Sequence, residues 1–125
     1  MGTIKTTVVQ TARGSRVWIE GDKLAEAGFF PNERYNIKYN EAEKRVELSL
    51  HPEGKRKVTN SKRNGRDRPI IDIETKKIGE LFGIGTELLI LLDDGQIHIF
   101  DNSISYQTLK KRVVEFYPEY GRASL

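Results

Sequence analysis

The chain has no cysteine and only two histidines in its 125 residues. Disulfides, thiolate metal sites and a cysteine nucleophile are therefore excluded, and His51 and His98 cannot form a histidine-rich metal centre unaided. Long apolar runs are missing as well. The longest, Leu88 to Leu92, is far short of the roughly 18 residues a membrane span needs. The opening MGTIKTTVVQ lacks the basic flank, apolar stretch and small-residue cleavage site of a secretory leader. No nucleophile is set beside a base. These absences lead us to expect a cytoplasmic, non-enzymatic protein with no cofactor and no membrane partner.

What is present is positive charge, and it is concentrated. Hydrophobic residues make up 37% and charged residues 31%, which suits one compact soluble domain or two small ones leaning on each other. Between Gly54 and Arg68 lie Lys55, Arg56, Lys57, Lys62, Arg63, Arg66 and Arg68 against Asp67 alone, seven positives less one negative, or +6. The whole chain is +3, so everything outside this stretch sums to −3.

Period-2 patterning predicts strands over 16–20, 35–39, 45–50, 69–73, 87–92 and 96–100, with short helical turns over 22–29 and 75–83. The order strand, short helix, glycine, strand, turn, strand occurs twice. Setting Ile19 over Ile73 aligns Glu20 with Glu74, Lys23 with Lys77, Leu24 with Ile78 and Glu26 with Glu80. One deletion then sets Asn32 over Gly85, Tyr35 over Leu88 and Ile37 over Ile90. A turn shorter by two residues sets Val46 over Ile97 and Leu48 over Ile99. Upstream, Arg13-Gly14 falls where Arg63-Asn64-Gly65 falls in the second copy, so both halves carry a basic turn. The expected organisation is one repeat over 1–53, a second over 54–101, and a C-terminal helix and tail over 102–125. A four-strand unit of this size cannot bury a sheet face alone, so the copies should pack into one pseudo-two-fold β-barrel.

The stretch RVWIEGDKLAEAGFFPNERYNIKYNEAEKRVELSL resembles the AbrB/MazE-like swapped-hairpin family, most closely its SymE-like branch. IIDIETKKIGELFGIGTELLILLDDGQIHIF looks like a second, more divergent copy. The resemblance implies a mainly β, tandem-repeat swapped-hairpin barrel that forms a pseudo-dimer within one chain, with the C-terminal helix added. It implies double-stranded DNA as partner, bound through Arg13 and Arg16 in the first copy and Lys62, Arg63, Arg66 and Arg68 in the second. A weaker resemblance joins the tail GRASL to the entry of bacterial DNA cytosine methyltransferases into their cofactor-binding strand. None of the catalytic motifs of those enzymes is present.

Arginine and lysine that neutralise phosphates release counterions and drive affinity, and arginine on a turn tip can pair with guanine. Lys55, Arg56 and Lys57 extend the same cluster. The bland reading is a solvated loop. Duplex is expected over single strands, because the loop carries no aromatic on which bases would stack. Two rival classes stand beside DNA binding: a mobile-element inhibitor of a host defence protein, of the anti-CRISPR kind, and a SymE-like toxin acting on RNA. Gly83-Ile84-Gly85 and Asp93-Asp94 read as turns rather than phosphate or metal sites. Glu20 and Glu74 read as strand-end charges, with a symmetric carboxylate pair as the alternative. Trp18, Phe29 and Phe30 are expected in the core, and His98 on a solvent face. Over 103–121, Tyr106, Leu109, Val113 and Phe116 make an apolar stripe at helical spacing, for packing on the barrel or for further dimerisation or partner contact.

Overall fold

A computed structural model of the chain describes residues 2–103. The C-terminal helix expected from 103 onwards, with Tyr106, Leu109, Val113 and Phe116, lies outside the described residues. Ten strands and two short helices follow one another in the first half as β1 (Gly2–Thr7), β2 (Val9–Thr11), β3 (Gly14–Glu20), α1 (Asp22–Glu26), β4 (Arg34–Asn40) and β5 (Arg45–Leu50). The second half continues as β6 (Arg56–Lys57), β7 (Thr59–Arg63), β8 (Arg66–Glu74), α2 (Lys76–Phe82), β9 (Glu87–Asp93) and β10 (Gln96–Asp101). Among the described residues no helix is long and apolar enough to cross a membrane.

The strands form two antiparallel sheets rather than the single closed barrel expected. One has six strands in the order β1-β9-β10-β5-β4-β6, the other four in the order β2-β3-β8-β7. In each half the first strand breaks at a fully buried valine, Val8 or Val58, and continues in the other sheet. The alternation of each strand points Val17, Ile19, Ile71 and Ile73 from the small sheet at Val46, Leu48, Leu88, Ile90, Ile97 and Ile99 from the large one. Leu24 and Ile78, one from each helix, close the same core. Burying a side chain of this size contributes on the order of 1.5–3 kcal/mol, so the core dominates the stability.

The halves are interleaved. β1 pairs with β9, β3 with β8, β5 with β10, and β6 with β4, so every one of these ladders joins residues from both halves. Hydrogen bonds recur at positions that the alignment of the halves equates. The Val8 and Val58 N–H groups donate to the Thr86 and Glu33 carbonyls, each at 2.9 Å. Gly85 and Asn32 N–H groups donate back to the Val8 and Val58 carbonyls at 2.8 and 2.9 Å. Likewise Gly21 N–H donates to Pro69 and Thr75 N–H to Ser15, tying the end of each half's central strand to the other half.

Three expected side-chain positions are corrected. Trp18 is 41% exposed and Phe30 53%, whereas Phe29 is fully buried with its ring edge-on to Tyr35 at 6.2 Å. Val17 and Ile19 take the inward face of β3, which turns Trp18 out. His98 is buried: both sides of β10 are covered, with Ile97 and Ile99 in the core and His98 and Phe100 on the other side, their rings stacked at 6.5 Å.

Candidate nucleic-acid interface

The basic stretch from Thr59 to Arg68 lies in the β7–β8 hairpin. Arg63 pairs with Arg66 across a two-residue turn in which Asn64 and Gly65 both have positive φ, 54° and 76°. That is the type I′ geometry whose twist matches the flanking strands, and Asn-Gly is its preferred sequence. The Asn-Gly centre is therefore a tight turn. Asn60 fastens the base of the tip: its side-chain amide donates to Asp67 Oδ1 at 3.0 Å and its carbonyl oxygen accepts the Arg68 N–H at 3.1 Å.

The predicted basic residues separate into three groups. Lys62, Arg63 and Arg66 are exposed on the tip and have no ion pair among the described residues. Arg16 and Arg68 are latched to carboxylates: Arg16 lies 3.0 Å from Asp72 and 3.5 Å from Glu74, and Arg68 lies 3.4 Å from Glu20. Arg13, in the two-residue turn of the first hairpin, is highly exposed and reaches Glu74 only at 3.8 Å. Such half-exposed pairs stabilise by at most about 1 kcal/mol. Lys55, Arg56 and Lys57 sit apart, around β6 on the edge of the large sheet. There Arg56 is close to two phenols. Burial pushes Tyr35 up to about 12, with Arg56 opposing and Asp72 adding; burial also raises Tyr39, again opposed by Arg56.

Glu20 and Glu74 do not form a carboxylate pair. Glu74 stands opposite Arg16 while Glu20 stands opposite Ile70, at the two ends of the β3–β8 ladder, and each holds an arginine of the neighbouring strand. Asp94-Gly95 make the β9–β10 turn, and Gly83 and Gly85 make the turn after α2.

Register settles which charges share a face. Alternation along β8 sets Arg66, Arg68, Ile70, Asp72 and Glu74 on one side, with Arg63 opposite Arg66 and with Arg16, Trp18 and Glu20 of β3 beside them. This side faces away from the core. Its middle is balanced in charge and holds exposed Trp18, with the Arg16 guanidinium 5.8 Å from the ring centroid. One end carries Arg63 and Arg66, the other the exposed Arg13. Paired positions in β3 and β8 sum to 90, so Arg66 is level with position 24, ten strand positions beyond Gly14. At roughly 3.3 Å per residue the two turns are about 33 Å apart. Trp18 is the residue whose role the sequence reading missed; its place between two inward residues of β3 was the available signal. Comparison with family models, curated proteins and solved structures finds no match for the chain.

Proposed function

We propose that the chain is a non-catalytic double-stranded DNA-binding protein of the AbrB-like swapped-hairpin kind, in which two tandem repeats do the work of a homodimer. The observation that carries this reading is the placement of two basic turns at opposite ends of one outward sheet face. Their separation of about 33 Å is close to the 34–36 Å helical repeat of B-DNA, the spacing at which two-fold proteins reach successive grooves on one side of a duplex. The interleaved ladders support the swapped-hairpin part of the reading. Arg63 and Arg66 at one tip and Arg13 at the other contact phosphates, while Lys62, which alternation turns to the other side of the hairpin opposite Asp67, adds positive charge near the tip. Arg16 and Arg68, already paired, hold the sheet face in shape.

The test is fluorescence anisotropy with duplex DNA across a salt series, for wild type and a Lys62→Ala, Arg63→Ala, Arg66→Ala variant. Removing the two arginine contacts and the nearby lysine charge should flatten the salt slope by about 2. Absence of binding at low salt would remove the reading and leave a protein target, of the host-defence kind, as the next search. Exposed Trp18 favours one second reading, a single-stranded partner such as the RNA of a SymE-like toxin, because an aromatic beside arginine is a platform for an unpaired base. A single-stranded oligonucleotide that quenches Trp18 fluorescence and outcompetes duplex would decide for it.

A further inference from the structure

The two halves differ most at one strand edge. In the large sheet β9 is covered along its length by β1, with Gly2 to Thr7 paired to Leu92 through Glu87. The equivalent strand of the first half, β4, is covered by β6 at Arg34 and Tyr35 alone. The reason is the short connection between halves. After Leu50, itself opposite Tyr35, the chain must cross the start of β4 and reach Arg56, also opposite Tyr35. It does so through a turn closed by the Gly54 N–H to the His51 carbonyl, leaving no residues to run along the rest of β4.

The exposed edge has open hydrogen-bonding groups. The Arg34 carbonyl accepts from His51 on the β5 side, so by alternation Arg34, Asn36 and Lys38 bond towards β5 while Tyr35, Ile37 and Tyr39 turn outwards. Tyr35 has its partner in β6; Ile37 and Tyr39 have none in the described ladders. Along this edge runs a groove lined by Asn36, Ile37, Tyr39, Lys55, Arg56 and Lys77. The three cations there have no ion pair among the described residues, and the Lys77 ammonium lies 5.2 Å from the centre of the Tyr39 ring.

The filled counterpart indicates what fits. Lys23, aligned with Lys77, donates to the Thr3 carbonyl of β1 at 2.8 Å, and a side chain at Gly2 would meet the Lys23 stem at 3.6 Å. A strand laid on β4 in the same sense would therefore set one residue opposite Tyr39, beside Lys77, and another opposite Ile37, facing the core as Ile4 does opposite Ile90. It would then run into the connection at Lys55. A chain passing that point would have to turn away, whereas a chain ending there would bring its terminal carboxylate to Lys55 and Arg56.

We propose that the uncovered stretch of β4 at Ile37 and Tyr39, with Lys55, Arg56 and Lys77, binds the acidic C-terminal tail of a partner protein as an added antiparallel strand. The tail carries an apolar last residue opposite Ile37 and a glutamate or aspartate two positions earlier against Lys77. Main-chain bonds supply affinity and the two pockets supply selectivity, as in other recognition by strand addition. The site is separate from the basic turns and does not depend on DNA binding.

The probe is a fluorescein-labelled peptide, Thr-Val-Thr-Glu-Thr-Ile with a free carboxylate, titrated against the full chain. Saturation below about 1 mM is expected. Amidating the C-terminus, replacing the glutamate by glutamine, or using the Lys77→Glu protein should each weaken binding about tenfold. Lys77 is exposed, so that variant should fold normally. Amide hydrogen exchange at Ile37 and Tyr39 should slow when peptide is added. No saturation, amidated and glutamine peptides that bind as tightly as the parent peptide, or unprotected Ile37 and Tyr39 amides would overturn the proposal. So would a duplex oligonucleotide that itself protects these amides and loses affinity with Lys77→Glu, since the groove would then belong to the nucleic-acid footprint.

Discussion

Trp18 lies directly across the β3–β8 ladder from Asp72, the residue that the alignment of the two halves superposes on it. Glu47 and His98 stand in the same relation across β5 and β10. A two-fold relation between the halves therefore passes through both pairs, one in each sheet. At the first pair the halves differ: an aromatic faces a carboxylate, and that carboxylate is held by Arg16. The symmetry of the backbone survives where side-chain identity does not.

Replacing Gly54 should be severe. A Cβ there would lie 2.6 Å from the backbone N, C and O of Tyr35, which can relieve the overlap only by moving the β4 ladder. Gly54→Ala is expected to cost about 3 kcal/mol, read as a lower urea midpoint at unchanged slope.

Ser15 and Gly79 should be coupled. The Ser15 hydroxyl, fully buried, accepts the Gly79 N–H at 2.7 Å and donates to the Thr75 carbonyl, standing between two groups that an uninterrupted helix would join. Ser15→Ala should cost about 1–3 kcal/mol by leaving buried groups short of partners. A Cβ at Gly79 would approach the Ser15 oxygen to 3.1 Å and the Ser15 Cβ to 3.2 Å, and Ser15→Ala removes the first of these contacts. Gly79→Ala should therefore be less harmful in the Ser15→Ala background than alone, which a double-mutant cycle in urea would measure.

Stability should fall at high pH through Tyr35. Its phenol titrates near 10 when unfolded and at about 12 when folded, chiefly because burial disfavours the charged form. The folded state thus keeps its proton longer. This contribution is intact below pH 10 and is lost as pH rises from about 10 to about 12, amounting to roughly 2–3 kcal/mol at 1.36 kcal/mol per pKa unit. Tyr35→Phe should flatten that decline in chemical denaturation curves taken across the window.

The hairpin tip should tolerate bulk but not a change of backbone preference. Nothing lies within 4 Å of a Cβ built on Gly65, yet its φ is 76°. Gly65→Ala should cost about 1 kcal/mol from the left-handed conformation alone, seen as a melting temperature lower by a few degrees.

Much of this was legible in the sequence because strands announce themselves by period. The expected span 45–50 is β5 itself, and the other five expected strands fall inside observed ones. Asn32 and Gly85, which the alignment sets together, donate to the carbonyls of Val58 and Val8. Other features were hidden for physical reasons. Alternation says which residues share a face but not which face is covered, so His98, on the side of β10 that it shares with buried Phe100, was misplaced. Trp18 and Phe30 were assigned to the core by size when the pattern of their neighbours turned one of them out. The breaks at Val8 and Val58 leave no glycine or proline to mark them; only tertiary packing bends the chain there. Nor does charge density reveal that Arg16 and Arg68 are held by carboxylates brought from elsewhere in the chain.

The interleaving of the halves also constrains how fast the protein can reach its native state. Hairpins such as β4–β5 and β7–β8 close short loops and can form early. The ladder that covers β9 must instead bring Gly2 to Leu92, across nearly the whole described chain, and β3–β8 must bring Arg16 to Glu74. Closure over such separations has to be met before those pairings return any energy, so refolding belongs with the slow, topology-limited β proteins on the scale of milliseconds to seconds. A chain severed between Leu50 and Arg56 would leave two fragments, each lacking strands that complete its sheets, whose recovery of structure would become second order in concentration.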